Sequence, residues 1–115
     1  MAAAHFGLDN LVAIVDDNNR FVTGPRNCVM TLDPFGAKWA AFGWHVAEVD
    51  GHDLPAVIAA LEAARRPEPA PGKPRLVIAH TVKGKGVSFM EASDGWHAGH
   101  LTADQYQAAL AEVTR

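Results

Sequence analysis

The feature that most constrains this chain is the alternation of short, continuous apolar runs with segments of helical periodicity. Leu11 to Val15 reads Leu-Val-Ala-Ile-Val and stops at Asp16-Asp17-Asn18-Asn19. So short a run, rich in β-branched side chains, predicts a strand buried on both faces rather than a helix. His45 to Val49 and Leu76 to Val82 read the same way. Between them lie helical patterns. Asp33 is an expected N-cap with Pro34 at the first helical position, and Gly43 closes that helix. Asp53 is the expected cap of the next, where Leu54, Val57, Ile58 and Leu61 share one face. Arg65 and Arg66 fall in its last turn, favourable for the helix dipole. Pro67, Pro69, Pro71 and Pro74 make a stiff connector that cannot be helical. Near the end, Thr102 and Gln105 form a capping box ahead of the apolar stripe Tyr106, Ala109, Leu110 and Val113.

Strands alternating with helices imply an α/β fold, a three-layer α/β/α arrangement with a parallel sheet and right-handed crossovers. A parallel sheet needs both faces covered, and these elements are few for the purpose. The opening Ala2-Ala3-Ala4-His5-Phe6-Gly7 reads as the final turn of a helix that ends on a glycine cap. The expectation is therefore one partial domain over residues 1–115, incomplete at its N-terminus.

Composition excludes several functions. A chain of 115 residues holds one domain at most. Its 49% hydrophobic and 20% charged content is that of an ordinary globular protein. The net charge of −3 gives no electrostatic case for nucleic acid or an anionic membrane. No apolar run approaches the roughly 18 residues of a membrane span. The start, Met-Ala-Ala-Ala-His, lacks the charged and apolar regions of a signal peptide. Cys28, a single cysteine, cannot form an internal disulfide and fits a reducing, cytoplasmic setting. It is expected to be a small semi-buried hydrophobe.

In open α/β sheets, ligands bind beyond the carboxyl ends of the strands. Three loops follow the three runs. The first holds Asp16, Asp17, Asn18, Asn19 and Arg20, which reads either as a turn or as an oxygen-rich site for a hard cation. The second holds Asp50-Gly51-His52-Asp53. The third, Lys83-Gly84-Lys85-Gly86, is no P-loop, because its spacing is wrong; it is either a solvated turn or a phosphate-binding loop. His97-Ala98-Gly99-His100 lacks the cysteines or the helical His-Glu-x-x-His of a zinc site.

Taken in order, these segments resemble transketolases. The stretch Ala3-Ala4-His5-Phe6-Gly7-Leu8-Asp9-Asn10-Leu11 is similar to the family's helix-to-strand passage, and Asn18 stands where its thiamine diphosphate motif has an asparagine. Phe42-Gly43-Trp44-His45-Val46, then Asp50-Gly51-His52-Asp53, resembles the next strand and turn. His80-Thr81-Val82-Lys83-Gly84-Lys85-Gly86-Val87-Ser88-Phe89-Met90-Glu91, then Trp96-His97, is similar to the closing segment. The resemblance covers essentially the whole chain. In detail it is to the N-terminal subunit of transketolases divided over two polypeptides. Deoxyxylulose phosphate synthase shares the Asp-Gly-His-Asp turn and the Lys-Gly-Lys-Gly loop, but Val87-Ser88-Phe89-Met90-Glu91 favours transketolase.

The resemblance implies transfer of a two-carbon ketol unit between sugar phosphates, with the thiazolium of thiamine diphosphate doing the carbon chemistry. It implies that Asn18 gives its side-chain oxygen, and Arg20 its backbone carbonyl, to Mg²⁺. Val22 would pack against the cofactor rings, and His97, the catalytic candidate, would contact the diphosphate and the substrate. The implied partners are a pyrimidine-binding subunit or domain and a second copy, in a homo- or hetero-oligomer. The family's Gly-Asp-Gly, whose aspartate is the acidic metal ligand, does not occur in this sequence. Ala98 stands where the family has glycine after the histidine. The chain is therefore expected to be inactive alone, as a fragment or a product started at an internal methionine. The alternatives are a non-catalytic or degenerate paralogue and a deoxyxylulose phosphate synthase-like fragment.

Overall fold

The computed structural model describes residues 1–66, 68–91 and 93–114. In chain order the elements are α1 (Ala2–His5), β1 (Val12–Asp17), β2 (Arg20–Phe21), β3 (Gly24–Pro25), α2 (Arg26–Val29), α3 (Phe35–Ala41), β4 (His45–Asp50), α4 (Leu54–Ala64), β5 (Arg75–His80), α5 (Ser88–Glu91), a 3₁₀ turn (Asp94–His97) and α6 (Ala103–Val113). They fall into two compact units. Residues Met1–Asp17 and Leu32–Thr81 make the first; Asn18–Thr31 and Val82–Arg115 make the second.

The first unit is an α/β structure on a parallel sheet of order β1-β5-β4. The register is unbroken, from Val12↔Arg75 to Asp17↔His80 on one side and from His45↔Arg75 to Asp50↔His80 on the other. Side chains alternate across the pleat, so Leu76 and Ile78 point to one face and Val77 to the other. On the first face Leu76, Ile78 and Trp44 form the core, with Ala3 and Ala4 of α1 and Phe35 and Trp39 of α3 packed on it. On the second face α4 lies across β4 and β5 and buries Val77.

The four residues of α1 end as the sequence predicts. Gly7, at φ +63°, lets its own N–H reach Ala4 O at 3.2 Å while Leu8 N–H reaches Ala3 O at 3.0 Å. Those are the two bonds of a Schellman cap. Asp53 caps α4, its carboxylate accepting from Ala56 N–H at 3.1 Å. Thr102 and Gln105 exchange both bonds of the capping box of α6.

Several expectations need correction. Asp33 is not the cap of α3: Pro34 is, in extended geometry and without a side-chain cap bond, and Phe35 begins the helix. Arg65 is the C-cap of α4 and Arg66 lies beyond it, because the helix ends at Ala64. Leu54 and Ile58 stay exposed, at 69% and 57%, because α4 covers a narrow patch with Val57, Ala60, Leu61 and Ala64. β1 is not buried on both faces. Ile14 is 62% exposed, since α4 packs mainly on the two other strands. The third strand ends at His80 rather than Val82. Of the proline connector, Pro67 lies outside the described residues.

The strand β5 opens on Arg75, 1% exposed, which sequence reasoning does not find. Its guanidinium donates to the carbonyls of Asp9 (2.5 Å), Lys73 (3.1 Å) and Ala70 (3.3 Å), so the buried charge is solvated by backbone.

In the second unit, β2 and β3 form a hairpin pairing Arg20 with Pro25 and Phe21 with Gly24. The carboxylate of Glu112 on α6 accepts from the Ser88 N–H at 2.6 Å and its hydroxyl at 2.8 Å. Along α6 only Ala109 of the apolar stripe is buried. Cys28, on α2, is exposed rather than semi-buried, because that short helix has no buried face.

Candidate cofactor-binding site

The segment after β1 is shaped by its asparagines. Asn18 Oδ1 accepts the Arg20 N–H at 3.0 Å, an Asx turn. Asn19 sits at φ +58°, a left-handed conformation that asparagine tolerates, and its carbonyl accepts the Arg26 N–H at 3.0 Å. The chain is thereby reversed into the hairpin, with Val22 at its tip. Of the two readings of Asp16 to Asn19, the turn is present. It does not exclude the cation reading, since an amide oxygen has two lone pairs and one remains.

A second segment of the same unit approaches from the far end of the sequence. Gly84, at φ +76°, packs so tightly that a Cβ there would lie 3.0 Å from the Met90 backbone. Only glycine suits such a position. Lys85 pairs with Glu91 at 3.9 Å, and the same carboxylate accepts the Gly86 N–H at 2.8 Å. The 3₁₀ turn follows, capped by Ser93, whose hydroxyl accepts the Gly95 N–H at 3.2 Å. Trp96 meets Phe89 edge-on at 5.5 Å and anchors the turn. His97 closes it, exposed to solvent.

These two segments enclose a cavity of about 190 Å³ lined by Asn18, Arg20, Phe21, Val22, Lys83 and His97. All four residues predicted from the sequence, Asn18, Arg20, Val22 and His97, line it together. His100 is not among the lining residues. The Ala98 departure therefore leaves His97 at the cavity, and the next glycine, Gly99, packs against the Trp96 ring. Phe21 and Lys83 are additions. Lys83 has a sequence signal, as the first lysine of the Lys-Gly-Lys-Gly loop; Phe21 has none.

Among the described residues the lining holds the side chains of Arg20 and Lys83, one imidazole and no carboxylate. Lys83 is half-buried and, among the described residues, makes no hydrogen bond or ion pair, unlike Lys85. Such a cavity favours an anion. At about 190 Å³ it is smaller than the roughly 300 Å³ and upward of a whole small-molecule site. Among the described residues no cluster of three or more His, Cys, Asp or Glu can hold a metal.

In the first unit, the strand ends carry a separate cluster. His80 Nδ1 lies 3.1 Å from Asp17 and Nε2 lies 2.8 Å from Glu48, and the Thr81 hydroxyl donates to Asp16. The hydrogen bond to Glu48 is the main cause that holds the imidazole pKa above its ordinary value; burial opposes it, and the hydrogen bond to Asp17 and the charges of both carboxylates add to the rise. In the next loop Asp50 accepts the His52 N–H at 2.8 Å.

The family model described as transketolase, thiamine diphosphate binding domain, matches residues 1–113. The chain belongs to the transketolase family. It is 43% identical over 114 residues to an apulose-4-phosphate transketolase subunit of Phocaeicola vulgatus, covering 99% of this chain and 40% of that one. It is 40% identical over 108 residues to the 6-deoxy-6-sulfo-D-fructose transketolase subunit SqwG of a Clostridium species, covering 94% of this chain and 38% of that one. A crystal structure of a Pichia stipitis transketolase in complex with fructose 6-phosphate superposes with a TM-score of 0.81 at 33% identity, over 94% of this chain and 16% of that one. The chain thus spans about two-fifths of the length of these subunit relatives. Membership establishes the α/β fold and a thiamine diphosphate binding domain like that of the two transketolase subunits. No helix among the described residues is long and apolar enough to cross a membrane.

Proposed function

We propose that this chain forms the diphosphate-binding part of a Mg²⁺- and thiamine diphosphate-dependent transketolase that moves a two-carbon ketol unit from a ketose phosphate to an aldose phosphate. The observation that carries this reading is the cationic, carboxylate-free cavity joining Asn18, Arg20, Val22, Lys83 and His97. Bound thiamine diphosphate would supply the nucleophilic carbon that ketol transfer requires. The chain's own residues bind and orient. Asn18, through its remaining lone pair, and Arg20, through its carbonyl, offer oxygens to Mg²⁺, which takes six in a near-octahedral shell. Lys83 neutralises a diphosphate oxygen. Val22 and Phe21 give the rings an apolar wall that excludes water. His97, at the cavity edge, donates to a phosphate oxygen or a substrate hydroxyl near the reacting carbon, a task imidazole suits near neutral pH. Diphosphate oxygens, a water and an acidic ligand that the cavity lining does not supply would complete the magnesium shell, so the isolated chain is expected to be inactive.

The named relatives, subunits for apulose-4-phosphate and 6-deoxy-6-sulfo-D-fructose, support an anionic sugar substrate and a partner subunit. The test is reconstitution. This chain, joined to the remainder of such a subunit and mixed with a pyrimidine-binding one, should transfer the ketol unit only when Mg²⁺ and thiamine diphosphate are present. An assembled complex that binds the cofactor without the help of Asn18 would overturn the assignment.

A further inference from the structure

We infer that Glu112, on α6, is a positioning residue for Lys83: through Ser88 it fixes α5, and α5 fixes the loop that presents Lys83 to the cavity. The inference rests on the anion-binding reading of that cavity. Glu112 does not line the cavity and acts only through the loop. The loop, α5 and α6 all belong to the second unit.

The segment from Val82 to Val87 is two turns in succession. Lys85 N–H donates to Val82 O at 3.1 Å, and Val87 N–H donates to Gly84 O at 3.1 Å. Each turn has a glycine in its third position, Gly84 at φ +76° and Gly86 at φ +93°, the geometry that a left-handed third residue requires. Such glycines permit the path without stiffening it, because glycine has the widest choice of backbone conformations. Both of them rest on α5. Gly84 packs against the backbone of Met90, and Gly86 N–H donates to the Glu91 carboxylate at 2.8 Å. The position of Lys83, next to Gly84, therefore follows the position of α5.

The helix α5 cannot hold itself. A single turn, Ser88–Glu91, is too short to persist on its own backbone bonds, and none of its residues is buried. Glu112 supplies the hold. Its two carboxylate oxygens accept separately from the Ser88 N–H at 2.6 Å and the Ser88 hydroxyl at 2.8 Å, at the first residue of α5. A charged acceptor with two points of attachment fixes orientation as well as position. It is offered from a firm base, since α6 has its own capping box and buries Ala109. Val113, the next residue on α6, lies beside Gly86, so the helix meets the loop at two adjacent side chains. Without the carboxylate, the loop spends part of its time with Lys83 out of place, and the affinity of the cavity for an anion falls by that fraction.

The experiment is a phosphorus NMR titration of the reconstituted complex with pyrophosphate, with thermal melts of the same samples. Glu112→Ala should lower the affinity roughly 3- to 10-fold, the loss expected if the loop is correctly set between about a tenth and a third of the time. Glu112→Gln keeps both bonds, because its amide accepts the N–H and donates to the hydroxyl, so it should stay within about 2-fold of wild type. In a Lys83→Met background Glu112→Ala should cause no further loss, because the residue it positions is gone. If Glu112→Ala does not fold, Ser88→Ala decides: it removes the hydroxyl bond alone and should lower the affinity about 2-fold or more. A lower melting temperature with unchanged affinity in these alanine variants, an equal loss in Glu112→Gln, or additive losses in the Lys83→Met background would overturn the inference. Unchanged affinity in Lys83→Met alone would overturn the anion-binding reading of the cavity, and this inference with it.

Discussion

Replacing Lys83 by methionine isolates the electrostatic part of the proposed site. Methionine keeps the length and packing of the lysine stem and removes the charge. Lys83 is half-buried in a cavity of about 190 Å³, so an anion inside it lies within contact distance. For one pair of charges about 4 Å apart, with an effective dielectric constant of about 40 for this half-exposed position, the interaction is about 2 kcal/mol. That corresponds to roughly a 30-fold loss of affinity. Lys85 is the internal control, because it is bound to Glu91 at 3.9 Å and does not line the cavity. The assay is a phosphorus NMR titration of the reconstituted complex with pyrophosphate at low salt, comparing wild type, Lys83→Met and Lys85→Met. Raising the ionic strength should shrink the difference, since the site is open to screening. Equal affinities for wild type and Lys83→Met, or an equal loss in Lys85→Met, would refute the reasoning.

Other expectations follow from the same structure. In a reconstituted enzyme, His97→Ala should lower the turnover number by one to three orders of magnitude, about 1.4–4 kcal/mol, while His100→Ala stays near wild type; steady-state kinetics at saturating cofactor separates them. Calorimetry of the isolated chain with Mg²⁺ and thiamine diphosphate should show little heat, and micromolar binding would disprove the need for further ligands. Arg75→Met removes hydrogen bonds from a buried guanidinium to the carbonyls of Asp9, Lys73 and Ala70 and should destabilise the first unit by about 2–3 kcal/mol, read as a lower urea midpoint. The folded pKa of His80 is raised, so its contribution is complete below the unfolded value and is lost as pH rises through the folded one. The imidazole is half exposed, so the effect is under about 1 kcal/mol; the gap in urea midpoint between wild type and His80→Gln should close on going from pH 6 to pH 8.5.

The parallel sheet was legible in the sequence because each buried strand is a run of consecutive apolar residues, and the caps at Gly7, Asp53 and Thr102 were legible because capping is local. Asp33 misled because Pro34, directly after it, fixes its own φ and serves as the cap. The exposure of Ile14 could not be read, since burial of a strand depends on which neighbours arrive. Arg75 was hidden for a related reason: it donates to the carbonyls of Asp9, Lys73 and Ala70, and carbonyls have no sequence signature. The contact of His80 with Asp17 and Glu48 depends on strand register across 32 and 63 residues of sequence. At the cavity, Asn18 and His97 came from motif resemblance. Lys83 was ambiguous because only the folded loop distinguishes it from Lys85, whose partner Glu91 is local.

The double hydrogen bond from Ser88 to Glu112 also bears on how genes for such enzymes can be divided. It fastens the helix around Glu112 to the loop that begins at Lys83. A break placed between residues 91 and 112 would leave that loop on one polypeptide and its fastening on another, and every turnover would depend on two products meeting before the loop was set. Division beyond Glu112 keeps loop and fastening in a single translation product, so the segment that lines the cavity is set within one chain.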